Sequence, residues 1–275
     1  MIREAQGELS QVLFASPHSG TVYPEAMQRD LRVPLVEIRR TEDAFVDELF
    51  EIAPDLGATL VSARYGRGFV DLNRDARELD PSMFSDGAPR ASGLPTARVE
   101  AGLGCLPRIC SRGREIYARR MTKSEGERRL ADVHDSYHGW ITQTLAALRE
   151  RHGEAVLIDC HSMPSSQPGR RGLPDIVLGD RFGSSCSARL TGLVERTFKS
   201  MGYSVTRNAP YAGGYTTRRY GRPRRGTHAL QIEINRSLYM DESSLSPHAG
   251  FDTLRDDISA MCRTLVDFCK ATAAA

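Results

Sequence analysis

Four short apolar segments, separated by longer polar stretches, limit what this chain can fold into. They cover residues 11–16, 58–63, 155–159 and 228–234, and each has the length and β-rich content of a single strand. The stretches between them carry apolar residues at helical spacing. Strands that alternate with helices in this way predict an α/β fold.

The strongest helical pattern covers residues 123–152, where apolar side chains recur every three or four positions. A second helix is predicted from residue 247 to the C-terminus, and a shorter one after Thr41, a candidate N-cap. Segments 80–104 and 164–172 are rich in Gly, Pro and Ser and predict long surface loops. With 275 residues and no change in composition along it, the chain predicts a single domain, 1–275.

The composition argues against several classes of protein. Apolar residues make up 40% of the chain, but no apolar stretch is long enough to cross a bilayer. The N-terminal segment is acidic and polar, unlike a signal peptide, so we expect a cytoplasmic protein. The six cysteines include no Cys-x-x-Cys pair, which argues against a disulfide framework or a thiolate zinc site. The net charge of +2 gives no whole-protein argument for nucleic-acid binding.

Histidines follow two of the predicted strands, where each apolar run stops. His18 lies in Ser-Pro-His-Ser-Gly after the first strand, and His161 follows Asp159 at the end of the third. Open α/β sheets bind ligands beyond the carboxyl ends of their strands. An imidazole there can bind a metal ion, and Asp159 can fix the tautomer of His161. The local sequence leaves open a structural role for each histidine.

The fourth predicted strand alternates between apolar and polar residues. Leu230, Ile232 and Ile234 share one face, and Glu233 lies on the other. A buried carboxylate must be paired or functional, and loss of solvent would raise its pKa toward that of a useful general base. The alternative is an exposed glutamate on an edge strand.

Arginines and an asparagine bracket the short apolar stretch 68–72. Arg67 precedes it, and Asn73 and Arg74 follow it. A guanidinium group binds a carboxylate as a planar fork, and the amide adds a donor, so a clamp for an acidic substrate is predicted. The alternative is an ordinary ion pair between Asp71 and an arginine in a surface turn.

Tyr211, Gly214 and Arg218 belong to a segment rich in Gly, Tyr and Arg, residues 208–225. Glycine permits close approach of the backbone to a ligand, and Arg with Tyr can bind a small anion or stack on bases. Because no other basic stripe occurs in the chain, a small acidic substrate is favoured over nucleic acid, with RNA binding as the alternative.

Taken together, five stretches resemble the N-formylglutamate amidohydrolase family. They lie at 16–24, 67–74, 159–164, 208–215 and 231–242, and the last, Gln-Ile-Glu-Ile-Asn-Arg-Ser-Leu-Tyr-Met-Asp-Glu, is the most specific. The family is related to the zinc carboxypeptidases and the acyl-amino-acid deacylases. The resemblance therefore implies one three-layer α/β/α domain with a mixed central sheet.

The resemblance also implies roles for individual residues. It implies one Zn²⁺ ion with His18 and His161 as ligands, and Glu233 as general base. Asn73 and Arg74 match the carboxylate clamp, and Arg67 matches a contact to the substrate or the transition state. The implied reaction converts N-formyl-L-glutamate to formate and L-glutamate, as a step of histidine degradation.

The third metal ligand departs from the pattern of the wider superfamily. There, a carboxylate stands three residues after the first histidine, where this chain has Thr21. Asp43 resembles an acidic position that the family keeps further along, and Glu42 and Asp47 are the alternatives. Two histidines and one carboxylate also suit divalent ions other than zinc.

Two other functions stay open on the sequence alone. A zinc hydrolase of another N-acyl amino acid, or of a C-terminal peptide bond, would use the same metal ligands. A metal-binding protein without catalysis is the alternative from another class, but it gives no reason for Glu233 or for the Asn73–Arg74 pair.

Overall fold

The computed structural model describes residues 1–89, 96–167, 169 and 172–273. The chain folds into two compact units. The first unit comprises Met1–Ser16, Asp43–Ser62 and Thr142–Ala275, and the second comprises Pro17–Glu42 and Ala63–Ile141. The single catalytic domain 1–275 stays a prediction.

The described residues of the first unit form a mixed seven-stranded sheet in the order β1-β3-β2-β4-β7-β5-β6. Strands β3, β2, β4 and β7 are parallel, β1 is antiparallel to β3, and β5 is antiparallel to β7 and parallel to β6. A separate ribbon pairs β8 with β9. The strands are β1 (Ile2–Arg3), β2 (Val12–Ser16), β3 (Thr59–Ser62), β4 (Ala155–Met163), β5 (Ile176–Gly179), β6 (Val205–Arg207), β7 (Thr227–Asn235), β8 (Met240–Asp241) and β9 (Ser246–Pro247).

The helices differ widely in length. A π-helical turn, Leu130–Asp135, joins the fifth helix to the sixth. The helices are α1 (Glu25–Arg29), α2 (Leu35–Arg39), α3 (Val46–Leu49), α4 (Ala97–Glu100), α5 (Lys123–Arg129), α6 (Ser136–His152), α7 (Ala188–Ser200), α8 (Tyr215–Tyr220) and α9 (Gly250–Ala273). No helix in the described part of the chain is long and apolar enough to cross a membrane.

The two faces of the sheet differ in chemistry. Phe14, Ile158 and Ile232 point to one face and are buried in a core cluster with Phe198 of α7 and Ile258 of α9. Full burial of side chains of this size contributes about 1.5–3 kcal/mol each. Polar residues that alternate with these, such as Glu233 of β7, point to the opposite face, because successive side chains of a strand alternate.

A helix begins on that opposite face. The backbone N–H of Gly214, the N-cap of α8, donates to Gln231 Oε1 at 2.8 Å. With α7 and α9 on one face and α8 on the other, the sheet is the middle of three layers. The predicted α/β fold with a mixed central sheet is therefore confirmed.

The four predicted strands correspond to β2, β3, β4 and β7. The edge-strand alternative for Glu233 is wrong, because β7 lies between β4 and β5. The two long predicted helices are present as α5 to α6 and as α9. The N-cap prediction for Thr41 is wrong: its hydroxyl donates back to Ile38 O at 2.7 Å, and α3 starts after Phe45, which has a positive φ of 65°.

The predicted loops contain short helices where they are described. Pro81–Met83 forms a turn of 3-10 helix, and α4 is capped by Thr96, whose hydroxyl accepts from Val99 N. Residues 90–95 of the first loop, and 168, 170 and 171 of the second, lie outside the described residues.

The second unit has a core of its own. Tyr23, Ile38, Val70, Leu72 and Ile116 are buried in it. Apolar side chains from α1, α2 and the turns after β3 form this core. The segment that carries Asn73 is therefore packed against buried apolar residues.

Candidate active site

The pairing of β4 with β7 brings polar side chains side by side on one face of the sheet. In this parallel register His161 pairs with Glu233, and Asp159 pairs with Gln231. All four side chains are buried. Residues that are far apart in the sequence thus form one cluster in the first unit.

His161 lies between two carboxylates. Its Nδ1 is 2.9 Å from Asp43 Oδ2, and its Nε2 is 3.1 Å from Asp159 Oδ1. Burial alone would lower the pKa of His161, but the charges of Asp159, Asp43 and Glu233 outweigh burial and raise the pKa well above its usual range. The sequence left a structural role open for His161, and the structure places its ring against two buried carboxylates.

Asp159 is a buried carboxylate that lacks hydrogen-bond donors. Its side chain is fully buried, and neither oxygen has a hydrogen-bond partner of good geometry among the described residues. The 3.1 Å approach to His161 is close in distance but poor in angle. An ionised carboxylate in this state is costly unless a positive charge is nearby.

Arg236 supplies positive charge to the same cluster, and sequence reasoning missed it. Its Nη2 donates to Asp43 Oδ1 at 3.0 Å, and its Nε donates to Ser162 Oγ at 3.1 Å. The signal was its place directly after the Glu233 strand, in the most specific of the resembling stretches. Three buried carboxylates, those of Asp43, Asp159 and Glu233, still outnumber the one arginine.

Glu233 is held by a short hydrogen-bonded chain. Gln231 Nε2 donates to Glu233 Oε1 at 2.7 Å, and Gln231 Oε1 accepts from Gly214 N. The pairing fixes the orientation of the carboxylate.

The other candidates of the first unit lie on and before α8. Tyr211 Oη accepts from Gln167 Nε2 at 2.6 Å. Burial and the charges of Glu233 and Asp43 raise the pKa of Tyr211. Arg218 is exposed, with its guanidinium 5.7 Å from the centre of the Tyr215 ring.

In the second unit, His18 is paired with a carboxylate. Its Nε2 is 2.7 Å from Asp71 Oδ1, and both side chains are buried. Arg67 Nη2 donates to the other oxygen of Asp71 at 2.9 Å. Burial would raise the pKa of Asp71, but His18, Arg67 and Arg74 hold it well below its usual range. The ion pair between Asp71 and an arginine is therefore present. Its carboxylate is buried, unlike that of a surface turn, and it also orients His18.

Asn73 and Arg74 are both held by the backbone around them. Asn73 N donates to Asp71 Oδ1 at 2.9 Å, and the asparagine side chain is buried. Arg74 donates through Nη1 to Asn73 O at 2.9 Å and through Nε to Leu103 O at 3.2 Å. These contacts fix the plane of the guanidinium group.

The alternative acidic ligands have other surroundings. Glu42 accepts from Tyr23 Oη at 2.8 Å and from Arg39 Nε at 3.3 Å. Asp47 is half-buried in α3, and Thr21 is exposed. Among the three candidate acids Glu42, Asp43 and Asp47, the contact described for His161 is with Asp43.

Three buried side chains are of a type that could bind a metal ion. They are His18 in the second unit, and Asp43 and His161 in the first. Each histidine presents one nitrogen to a supporting carboxylate, Asp71 or Asp159, an arrangement typical of metal-ligating histidines.

The chain was compared with known proteins. The model of the N-formylglutamate amidohydrolase family matches residues 10–240. An N-formylglutamate deformylase of Pseudomonas aeruginosa is 34% identical over 263 residues, which cover 93% of this chain and 91% of the relative. This chain belongs to the N-formylglutamate amidohydrolase family. A deformylase of the same name from Pseudomonas putida is 34% identical over 251 residues, with 86% and 84% covered.

One solved structure agrees with this membership in the family, and a second shares the fold. The crystal structure of an N-formylglutamate amidohydrolase from Ralstonia eutropha matches with a TM-score of 0.93 and 32% identity, covering 99% of this chain and 98% of the other. A gene product of Agrobacterium tumefaciens shares the fold, with a TM-score of 0.68 and 17% identity over 97% and 92% of the chains. The predicted family and the predicted hydrolytic activity are confirmed.

Proposed function

We propose that this member of the family hydrolyses N-formyl-L-glutamate to formate and L-glutamate, with the aid of one divalent metal ion. The observation that carries the proposal is Glu233 beside His161 in a buried cluster rich in carboxylates. The two related deformylases bear the name of this substrate. The proposal includes a single catalytic domain and a place in histidine degradation.

The surroundings of His161 fit a bound cation. Asp159 is buried without a donor, and the three carboxylates of the cluster exceed the charge of Arg236. Asp43 and His161 are therefore proposed as ligands. His18 is proposed as the third, since it follows β2 by two residues and β2 neighbours β4 in the sheet. Two histidines and one carboxylate suit Zn²⁺, which when bound would lower the pKa of a water and polarise the formyl oxygen.

Glu233 is proposed as the general base. Its carboxylate accepts a proton from the attacking water and delivers it to the nitrogen of the leaving glutamate. Gln231 holds one oxygen of that carboxylate, so the group meets the water in one orientation. Exclusion of solvent around the buried cluster strengthens each of these charge interactions.

Arginines and Asn73 are proposed to recognise the negative charge of the substrate. Arg74 and Asn73 bind a carboxylate of the glutamyl part, and the bonds of Arg74 to two backbone carbonyls set the direction of its guanidinium group. Arg67, oriented by Asp71, contacts the reacting carbonyl oxygen. Tyr211, Gly214 and Arg218 line the substrate from the α8 side in this proposal.

The test joins metal analysis to formate release from a matched set of substrates. N-formyl-L-glutamate is compared with N-formyl-L-glutamine and N-acetyl-L-glutamate, in wild type and in Arg74→Ala. We expect the wild type to prefer the first substrate and Arg74→Ala to lose the preference over the glutamine analogue. Unchanged discrimination in Arg74→Ala would contradict a clamp on the side-chain carboxylate. Metal-loaded protein that releases no formate would contradict the proposed reaction.

A further inference from the structure

Two buried histidines of the second unit contact the segment that carries Asn73 and Arg74. His138 Nε2 is 2.8 Å from Leu72 O, and His134 Nε2 is 2.9 Å from Arg74 O. Their side chains are among the most buried of the polar residues. Because a carbonyl oxygen only accepts, each imidazole must carry its proton on Nε2 to make these bonds.

The helix that presents the two histidines is irregular. His134 lies in the π-helical turn and His138 in the first turn of α6. Their rings are 4.4 Å apart between centroids and are inclined at 51°. Short π-helical turns concentrate at functional sites, where they redirect side chains. Here each ring limits the orientation of the other.

The segment under these rings bears several groups of the proposed site. Asp71 orients His18 and Arg67, and Asn73 N is bonded to Asp71 Oδ1. Asn73 stands between the two carbonyl groups that the histidines hold. The backbone on both sides of Asn73 is thus fixed from α6 and the π-helical turn.

We propose that His134 and His138 are positioning residues for substrate binding. By donating to Leu72 O and Arg74 O, they hold Asn73 and Arg74 at the angle at which these residues meet the substrate carboxylate. The inference rests on the proposed function, since it assumes that this pair binds the glutamyl part. A guanidinium group binds a carboxylate through a planar fork, so a change in the angle of Arg74 would weaken binding of the substrate.

The experiment compares two substitutions at each histidine. His138→Leu removes the donor and leaves a buried carbonyl unpaired, whereas His138→Gln returns an amide N–H at the same reach. We expect His138→Leu to raise KM for N-formyl-L-glutamate about tenfold, with kcat and metal content nearly unchanged. We expect KM of His138→Gln to be close to that of the wild type. His134→Leu and His134→Gln should show the same difference in KM.

A matched control separates positioning from general stability. His228, in β7, is also buried, and His228→Leu should lower the melting temperature without raising KM. Equal rises of KM in His138→Leu and His228→Leu, or no rescue by His138→Gln, would overturn the inference. If the leucine variants do not fold, ¹⁵N spectra of the wild-type histidines decide, because both rings must carry a proton on Nε2.

The controls also separate this inference from the proposed function. A wild type that does not hydrolyse N-formyl-L-glutamate would contradict the function, and calorimetric binding of L-glutamate would then replace KM in the same comparison. An active wild type with unchanged KM in His138→Leu would contradict the positioning role alone.

Discussion

At the scale of the residue, Glu233 gives the sharpest prediction. Glu233→Gln should lower kcat by about 10²–10⁴-fold, because an amide cannot accept the proton of the attacking water. The fold should persist, since the new amide oxygen can still accept from Gln231 Nε2. Formate release measures the effect, with metal content and the melting temperature as controls. Near-normal turnover of a metal-loaded Glu233→Gln variant would show that another group is the base.

Arg236 gives a prediction about stability. Arg236→Met removes the buried cation that is bonded to Asp43, so the metal-free protein should lose about 3–5 kcal/mol of unfolding free energy. Urea unfolding with a chelator present measures the loss. The control is Arg224→Met, an exposed position in the segment before β7, which should change little. Equal stability of the two variants would mean that Arg236 does not balance the charge of the cluster.

Individual residues also show how far sequence reasoning reaches. The alternation of β7 assigned Glu233 to the polar face of the strand, and the structure buries it. The resemblance named Asp43, but nothing local to Asp43 indicated that it would lie beside His161. That contact joins residues more than a hundred positions apart, and the sequence contains no physical signal for such a distance. The pairing of Arg236 with Asp43 and that of Asp71 with His18 were missed because they too depend on tertiary structure.

At the scale of the element, four strands and the two longest helices were predicted, whereas β5, β6 and α7 were not. Apolar periodicity over many residues identified β4, β7, α6 and α9. The register of β4 against β7, which brings His161 to Glu233, depends on tertiary pairing and cannot be read from either strand. The three residues of β6 are too few for a pattern to exceed chance.

The turn after β2 provides a prediction at this scale. A Cβ on Gly20 would lie 2.3 Å from Tyr65 O and 2.7 Å from Tyr65 C, both backbone atoms that cannot move aside as a side chain can. Gly20→Ala should therefore cost about 1–3 kcal/mol and displace His18, two residues away, with loss of bound metal. Urea unfolding and metal analysis measure the two effects.

Gly139 in α6 is the matched control for Gly20. A Cβ there would meet nothing within 4 Å, and the residue lies inside a long helix. Gly139→Ala should stabilise the protein by about 0.5–1 kcal/mol, because alanine loses less backbone entropy in a helix. If both alanine variants had the stability of the wild type, the close approach at Gly20 would not constrain the His18 turn.

At the scale of the whole molecule, average properties carried little information about function. The net charge of +2 is nearly neutral, yet the cluster around His161 has an excess of buried carboxylates. The composition is typical of a protein that buries an apolar core in water. The activity was indicated only by the order of residues in short stretches of the sequence. The cytoplasmic location, the binding of a metal ion and the identity of that ion stay predictions.

Removal of the metal is the prediction that belongs to this scale. A cation bound beside Asp43, Asp159 and Glu233 would offset their mutual repulsion, so chelation should lower the melting temperature and abolish formate release. At free metal a thousandfold above Kd, the stabilisation should be about 4 kcal/mol. Added Zn²⁺ should restore both properties.

Asp159→Asn sharpens the test of the metal, because it removes one charge without changing the size of the side chain. Metal affinity should fall by about 10–100-fold, since Asp159 supports His161. The metal-free form should gain stability, because fewer carboxylates then repel one another. The control is Asp135→Asn, an exposed carboxylate outside the cluster, which should leave affinity unchanged. If the chelated wild type had the melting temperature and the rate of formate release of the metal-loaded protein, a metal ion would contribute neither to stability nor to catalysis.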